Sequence, residues 1–296
     1  MRRIDMSISD WFFNFSSNIK ISDQSMQNIR ARRDSIARRI NIDFWGAESA
    51  TNHRLFGGSF GRGTKTHFSD IDLLVVLPPG TYAKYDAYSW NGQSALLQAL
   101  KTSIQKTYST SHLSGDGQVV AINFTDGIGF EIVPVFENKD GHSFIYPDSN
   151  YGGSWKVTDP RSEIQAISDM NDECNGNVKR FAQMIREWKY ANGVDVLGIL
   201  IDVFVFNFMK DYRYKDKSFL YYDYFSRDFF NYLSEIPITQ KKFQIMGSGK
   251  YITFDGHFQY KAKQAYNNAN KAIEYLNNKC EYSAKEAWRN IYGNKF

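Results

Sequence analysis

Three groups of residues in this 296-residue chain can do chemistry together: Gly57-Gly58-Ser59, then Asp70-Ile71-Asp72, then Glu131 inside a later apolar run. The run Ile71–Leu77 reads as a short buried strand, and residues two apart on a strand point to one side, so Asp70 and Asp72 converge on one spot. Side by side, two carboxylates repel and need a cation or a proton. A pair of Mg²⁺ ions, with Mn²⁺ as a substitute, is the usual answer in phosphoryl and nucleotidyl transfer. Glu131 comes from another strand, because Gln118–Phe124 and Ile128–Phe136 are β-rich runs joined around Asp126-Gly127, a tight-turn pair. The expectation is one sheet surface carrying Asp70, Asp72 and Glu131 as metal ligands and catalytic acids.

The glycine-rich segment has a separate task. Gly57, Gly58, Gly61 and Gly63 let the backbone approach a triphosphate, and the Ser59 hydroxyl with nearby N–H groups can donate to its terminal phosphates. It is not a P-loop, since Thr64 separates Gly63 from Lys65, and the Rossmann glycine spacing fails as well. Taken singly, Gly-Ser is a turn and Asp-x-Asp a solvated strand end. The acid on a neighbouring strand is what joins them into a nucleotide site.

The elements that must hold these residues follow from periodicity, and the fold class they imply is α+β. A helix from about Asp23 to Trp45 braces the chain, and a β-rich catalytic lobe with a helix around Ser94–Tyr108 runs to about Phe136. Glu137–Gly176, rich in Gly, Asp, Asn, Ser and Pro, reads as a long crossover. Beyond it the chain is helical. Val178, Phe181, Ile185 and Trp188 form one apolar stripe, and Ala262, Ala265, Ala269, Ala272 and Leu276 form another. Ser283-Ala284-Lys285-Glu286 has the spacing of a capping box opening the last helix. Two lobes result, residues 1–155 and 156–296, with the active site expected in the cleft between them.

Composition narrows the function classes. Two cysteines, Cys174 and Cys280, lie far apart without CxxC spacing, which argues against a disulfide framework or a zinc site and for a reducing, cytoplasmic compartment. The start Met1-Arg2-Arg3-Ile4-Asp5 lacks the apolar core of a secretory signal. Val194–Met209 is strongly apolar but shorter than the roughly 20 residues needed to span a bilayer, and it carries Asp195, Asp202 and Asn207, so a buried helix is expected and no membrane partner. The net charge of +4 does not itself call for nucleic acid. Arg30, Arg32, Arg33, Arg38 and Arg39 sit among Met26, Ile29, Ile36 and Ile40 at helical spacing, the pattern of a solvated helix face, with a polyanion-binding ridge as the other reading. His53 and His67 flank the glycine loop as structural residues, because two-metal nucleotidyl transfer needs no histidine base.

The stretch from Phe56 to Thr64 and from Ser69 to Val75 resembles the polymerase-β-like nucleotidyltransferases, and specifically the bacterial CD-NTases, relatives of cyclic GMP-AMP synthase that carry a second-messenger oligonucleotide or dinucleotide synthetase domain. Phe130-Glu131-Ile132-Val133-Pro134-Val135 looks like the family's third-acid strand, Met184–Lys189 like its helix with a triphosphate-binding lysine, and Trp288–Gly293 with Phe296 like its C-terminal signature. The resemblance spans nearly the whole chain. It implies a polymerase-β-like lobe with a mixed sheet, a helical C-terminal lobe, Gly58, Ser59 and Lys189 on the nucleotide, and NTPs as substrates. Arg186, three residues before Lys189, shares that helix face and is a second candidate for the triphosphate, although spacing alone fits a solvated cation pair. The implied product is a cyclic di- or trinucleotide that activates an effector in CBASS-type anti-phage defence. Regulatory partner proteins fit the family, and no obligatory nucleic acid does. Two positions depart from its pattern: Glu131 stands where Asp is more common, and Ala191 where a tryptophan often follows the helix lysine by two residues.

Two other functions use the same residues. A template-independent RNA or tRNA nucleotidyltransferase needs these carboxylates with a longer basic track. A non-catalytic nucleotide sensor needs only the binding half.

Overall fold

Ordinary local signals start and stop the elements that build the carboxylate surface. The structure, a computed structural model, describes residues 6–67 and 69–296; residues 1–5, read above for a leader, lie outside that set. In chain order the elements are α1 (Met6–Asn18), α2 (Asp23–Ile40), β1 (Arg54–Phe56), α3 (Gly58–Arg62), β2 (Ile71–Val76), α4 (Pro79–Asp86), α5 (Gly92–Gln105), β3 (His112–Asp116), β4 (Val119–Asn123) and β5 (Gly129–Glu137). There follow β6 (Phe144–Asp148), β7 (Ser154–Thr158), α6 (Pro160–Glu173), α7 (Asn177–Asn192), α8 (Gly198–Asp211), α9 (Tyr222–Glu235), β8 (Lys242–Gln244), β9 (Tyr251–Thr253), α10 (Gln259–Asn277) and α11 (Glu281–Tyr292). A π-helical turn, Asn41–Trp45, extends α2 to the expected end of the first long helix.

The contacts divide the chain otherwise than by a single cut near residue 155. One unit comprises Ile21–Gly61 and Phe68–Ser162, the other Met1–Lys20, Arg62–His67 and Glu163–Phe296.

The first unit holds a mixed sheet in the order β1-β2-β5-β4-β3, with β6 beside β5 and β7 beside β6. Among the described residues only β2 and β5 run parallel; they are the strands that carry Asp72 and Glu131. The hairpin from β4 to β5 turns where expected: Gly127 has φ 82°, a left-handed conformation glycine tolerates, and Phe124 N–H donates to Ile128 C=O at 3.0 Å. One face of the sheet presents Ile71, Leu73, Val75, Phe130 and Ile132 to Ile29, Ile36 and Ile40 of α2 and to Leu96, Leu97 and Leu100 of α5, all buried. This burial holds α2 down. Its arginines are largely neutralised: Arg32 chelates Asp126 with two bonds of 2.9 Å and lies 3.9 Å over the Phe124 ring, Arg33 meets Asp34 at 2.8 Å, and Arg39 pairs with Asp43. A helix so paired is a poor polyanion ridge.

The expected crossover at Glu137–Gly176 is corrected: it contains β6, β7 and α6. Short strands around Pro147 and a turn with Gly152 and Gly153 dilute the apolar signal, and Asp159 caps α6 by accepting the Ser162 N–H at 3.1 Å.

The second unit is helical. Val178, Phe181, Ile185 and Trp188 of α7 are all buried, as are Ala262, Ala265, Ala269 and Ala272 of α10, so both stripes face its core. Phe12 and Phe15 of α1 pack on Trp288, Tyr292 and Phe296, with ring centres 4.8–6.3 Å apart for the pairs that touch. Among the described residues no helix is long and apolar enough to cross a membrane; α8 occupies the apolar run. The capping box at Ser283 is also corrected. The last helix begins at Glu281, which puts Ser283 inside its first turn, and Cys280 precedes it without a side-chain cap.

Candidate active site

Register places two of the three acids. β2 and β5 pair so that Asp72 lies opposite Glu131, and on the other side of β5 Glu131 lies opposite Ala121 of β4. A strand alternates its faces, so Asp72, Leu74 and Val76 share the side away from α2 and α5. Leu74, Val135 and Phe144 form a small buried cluster there, and the acids stand at its β2 N-terminal end. Asp70 is exposed and immediately precedes β2. Asp72 and Glu131 are half-buried, against Asp70 in solvent. Among the described residues no three His, Cys, Asp or Glu side chains are gathered as a metal cluster.

The glycines fit against Asp72 in detail. β1 pairs antiparallel with β2, Phe56 opposite Leu73, and the Gly57 N–H donates to the Asp72 carbonyl at 2.9 Å. A Cβ on Gly57 would sit 2.5 Å from Leu74 Cδ1, and one on Gly58, whose φ is +48°, would sit 1.8 Å from Asp72 Oδ2. Any side chain at Gly58 would therefore displace the carboxylate. Ser59 follows on the first turn of α3. The loop thus packs its glycines against Asp72, with Ser59 next in the chain, and carboxylate oxygens of this kind fit a hard divalent cation.

Asp126, the other acid near this sheet, is held by Arg32, whose hydrogen bonds keep its carboxyl below the ordinary aspartate value. His53 stacks on Trp45 with ring centres 3.8 Å apart and meets Asn41 Oδ1 at 2.6 Å, a structural setting.

Lys189 and Arg186 belong to the helical unit. Lys189 is half-buried near the end of α7, and burial, with Arg186 beside it, holds its ammonium below the ordinary lysine value. Arg186 is not a solvated partner of Lys189, which corrects that expectation. It is 4% exposed, donates to Asp202 Oδ1 at 2.7 Å and Oδ2 at 3.0 Å, and also reaches Gly198 C=O at 3.0 Å.

Sequence reasoning missed the rest of this network. Asp202 is fully buried and also accepts from Arg62 Nε at 2.8 Å and Thr64 Oγ1 at 3.0 Å, while Arg62 bridges to Glu163 at 3.0 Å. Burial alone would raise the Asp202 carboxyl; Arg186 and Arg62 hold it below the ordinary aspartate value instead. The signal was an aspartate inside an apolar run, which served above only to argue against a membrane span.

Comparison with known proteins decides the family. Residues 6–171 match the Second Messenger Oligonucleotide or Dinucleotide Synthetase domain. The chain belongs to this family. A protein described as a probable cyclic nucleotide synthase from Bacillus cereus (strain VD146) is 26% identical over 276 residues, covering 81% of this chain and 80% of that one. Two solved structures share the fold. CdnG of Bradyrhizobium diazoefficiens, a CD-NTase in complex with GTP, superposes with a TM-score of 0.69 at 10% identity, over 97% of this chain and 95% of that one. CdnC of E. coli MS115-1, in complex with HORMA-deltaN, gives a TM-score of 0.66 at 13% identity, over 97% and 98%. The family likeness read from the loop and the acids therefore holds, as does the α+β class with a polymerase-β-like sheet and a helical part.

Proposed function

We propose that this second-messenger synthetase joins nucleoside triphosphates by attack of one nucleotide's 3′-hydroxyl on the α-phosphate of another, and that repeated transfer closes a cyclic di- or trinucleotide. The observation that carries the reading is the in-register pair Asp72 and Glu131, with Asp72 packed against Gly58. Two acids placed opposite one another, at a point where the backbone leaves no room for a side chain, suit a site built to hold cationic and phosphate groups together.

Asp70, Asp72 and Glu131 would hold two Mg²⁺ ions, with Mn²⁺ as a substitute. When bound, such ions lower the pKa of the attacking hydroxyl and stabilise charge on the leaving pyrophosphate. The protein's own residues do the rest. The Gly58 backbone lets the triphosphate close on the loop, the Ser59 hydroxyl donates to a terminal phosphate oxygen, and Lys189 holds the β- and γ-phosphates by charge. Arg186 contributes through Asp202 and the position of α7, not by touching the nucleotide.

The family supports a role in CBASS-type anti-phage defence in the cytoplasm, with a product-binding effector downstream. The complex of the fold neighbour CdnC with a HORMA protein makes a regulatory partner a natural extension. Incubation with the four labelled NTPs and Mg²⁺, with and without RNA, tests the reading. Small phosphatase-resistant products that form without RNA are expected. Elongated RNA as the sole product would replace this proposal with a tailing enzyme, and nucleotide binding without turnover would replace it with a sensor.

A further inference from the structure

Within the helical unit, α8 and the β8–β9 hairpin line a groove of about 500 Å³, a size that suits a small ligand. Val203, Phe243 and Met246 give it an apolar patch, the amides of Asn207, Gln240 and Gln244 make most of its exposed lining polar, and Lys210 and Lys242 add two cations. No aspartate or glutamate is among the described residues that line it. The Lys210 ammonium lies 4.9 Å from the Phe206 ring centre and that of Lys242 lies 5.1 Å from the Tyr251 ring centre. Among the described residues neither of the two meets a carboxylate within salt-bridge distance, whereas the neighbouring Lys241 pairs with Asp255 at 3.7 Å.

Two of these features have ordinary causes. Lys210 sits in the last turn of α8, where a cation complements the helix dipole. Lysine over an aromatic ring is a common surface contact. Neither cause explains why both cations line a groove with no acid, with Tyr251, a ring 60% exposed, beside them.

We propose that this groove is a second binding site for a nucleoside phosphate, separate from the catalytic acids. Lys210 and Lys242 hold the phosphates, and Tyr251 stacks on the base beside the apolar patch. A ligand that combines negative charge with a flat ring uses every feature of the site. An acidic peptide would leave the patch and the ring unused.

The site is tested by equilibrium dialysis of the full chain with radiolabelled ATP, in Mg²⁺ and in EDTA. Besides the donor and acceptor nucleotides at the acids, one further binding class per chain is expected, and it should persist in Asp72→Asn. The double variant Lys210→Glu, Lys242→Glu should lose that class by at least about tenfold, and Tyr251→Ala should weaken it less. Both variants should keep the melting temperature and, at saturating NTP, the product yield of the parent. Unlabelled AMP should displace ATP from this class, and adenosine should do so only weakly. The absence of any class beyond the donor and acceptor, or a further class untouched by the double variant, overturns the proposal. So does equal displacement by inorganic pyrophosphate with no effect of Tyr251→Ala, which would make it a site for bare phosphate. Affinity that rises with the length of added RNA would make it a nucleic-acid surface instead. Loss of catalysis in Asp72→Asn with this binding class intact keeps the two sites distinct.

Discussion

On the sheet, Asp72 faces Glu131 across two parallel strands, half-buried and beside Gly58; among the helices, Asp202 is enclosed by Arg62, Arg186 and Thr64 and is shut off from solvent. The residue is the same and the surroundings are opposite. Carboxylates set opposite one another on paired strands suit the uptake of a cation, whereas a carboxylate between two guanidiniums is neutralised by the fold itself. The first arrangement suits a task, and the second holds helices and loop in place. If this distinction is right, substitutions should separate activity from stability.

The largest stability effect is expected at Asp202. Asp202→Ala leaves Arg62 and Arg186 buried without their shared partner and should cost about 3–5 kcal/mol by chemical denaturation. The pH dependence has a definite sign. The folded carboxyl titrates below the ordinary 3.8, so its contribution is complete above that value and is lost as pH falls through the lowered one. The stability gap between the parent and Asp202→Asn should therefore be flat from pH 7 to about 5 and shrink only below about 4.

At Glu131 the effect should fall on rate. Glu131→Gln removes a charge and should reduce turnover much more than Glu131→Asp, which shifts the carboxylate by one methylene, with little change in melting for either. Equal losses in steady-state turnover would make Glu131 a structural residue.

Lys189 should act on binding. Lys189→Ala is expected to raise KM for NTP more than it lowers kcat, because a cation on the β- and γ-phosphates serves ground and transition states alike. Its ammonium is held below the ordinary lysine value, so the charge is lost as pH rises through that lowered value, and KM should climb at a lower alkaline pH than an exposed lysine would give. Lys189→Arg should flatten that climb. An unchanged KM in the alanine variant would shift attention to another lysine of the helical unit. Ser59→Ala should show the same KM effect in a weaker form, since a neutral hydrogen bond is worth less than a charge-assisted one.

Much of the sheet was legible because its signals are local. Apolar, β-rich runs located β2 and β5, Asp126-Gly127 fixed the hairpin, and the register that puts Glu131 opposite Asp72 follows once those strands pair. The region after Glu137 was not legible, since β6 and β7 are brief and interrupted by Pro147 and a glycine turn. Ser283 misled because its capping pattern fits one turn inside a helix as well as at its start. Arg186 misled for a different reason. Its spacing from Lys189 describes a helix face, but its burial depends on Asp202, sixteen residues away, and on Arg62, far back in the chain. Long-range ion pairs leave no periodic trace.

The most direct test sets Asp72→Asn against Asp202→Asn, with product formation from the four NTPs and thermal melting measured on the same preparations in EDTA and in Mg²⁺. Asp72→Asn should form no product, melt at or above the parent in EDTA, and lose any stabilisation that Mg²⁺ gives the parent. Asp202→Asn should melt well below the parent in both buffers and retain turnover at temperatures where it stays folded. Near-normal product from Asp72→Asn, or a parent-like melt from Asp202→Asn, would contradict the account.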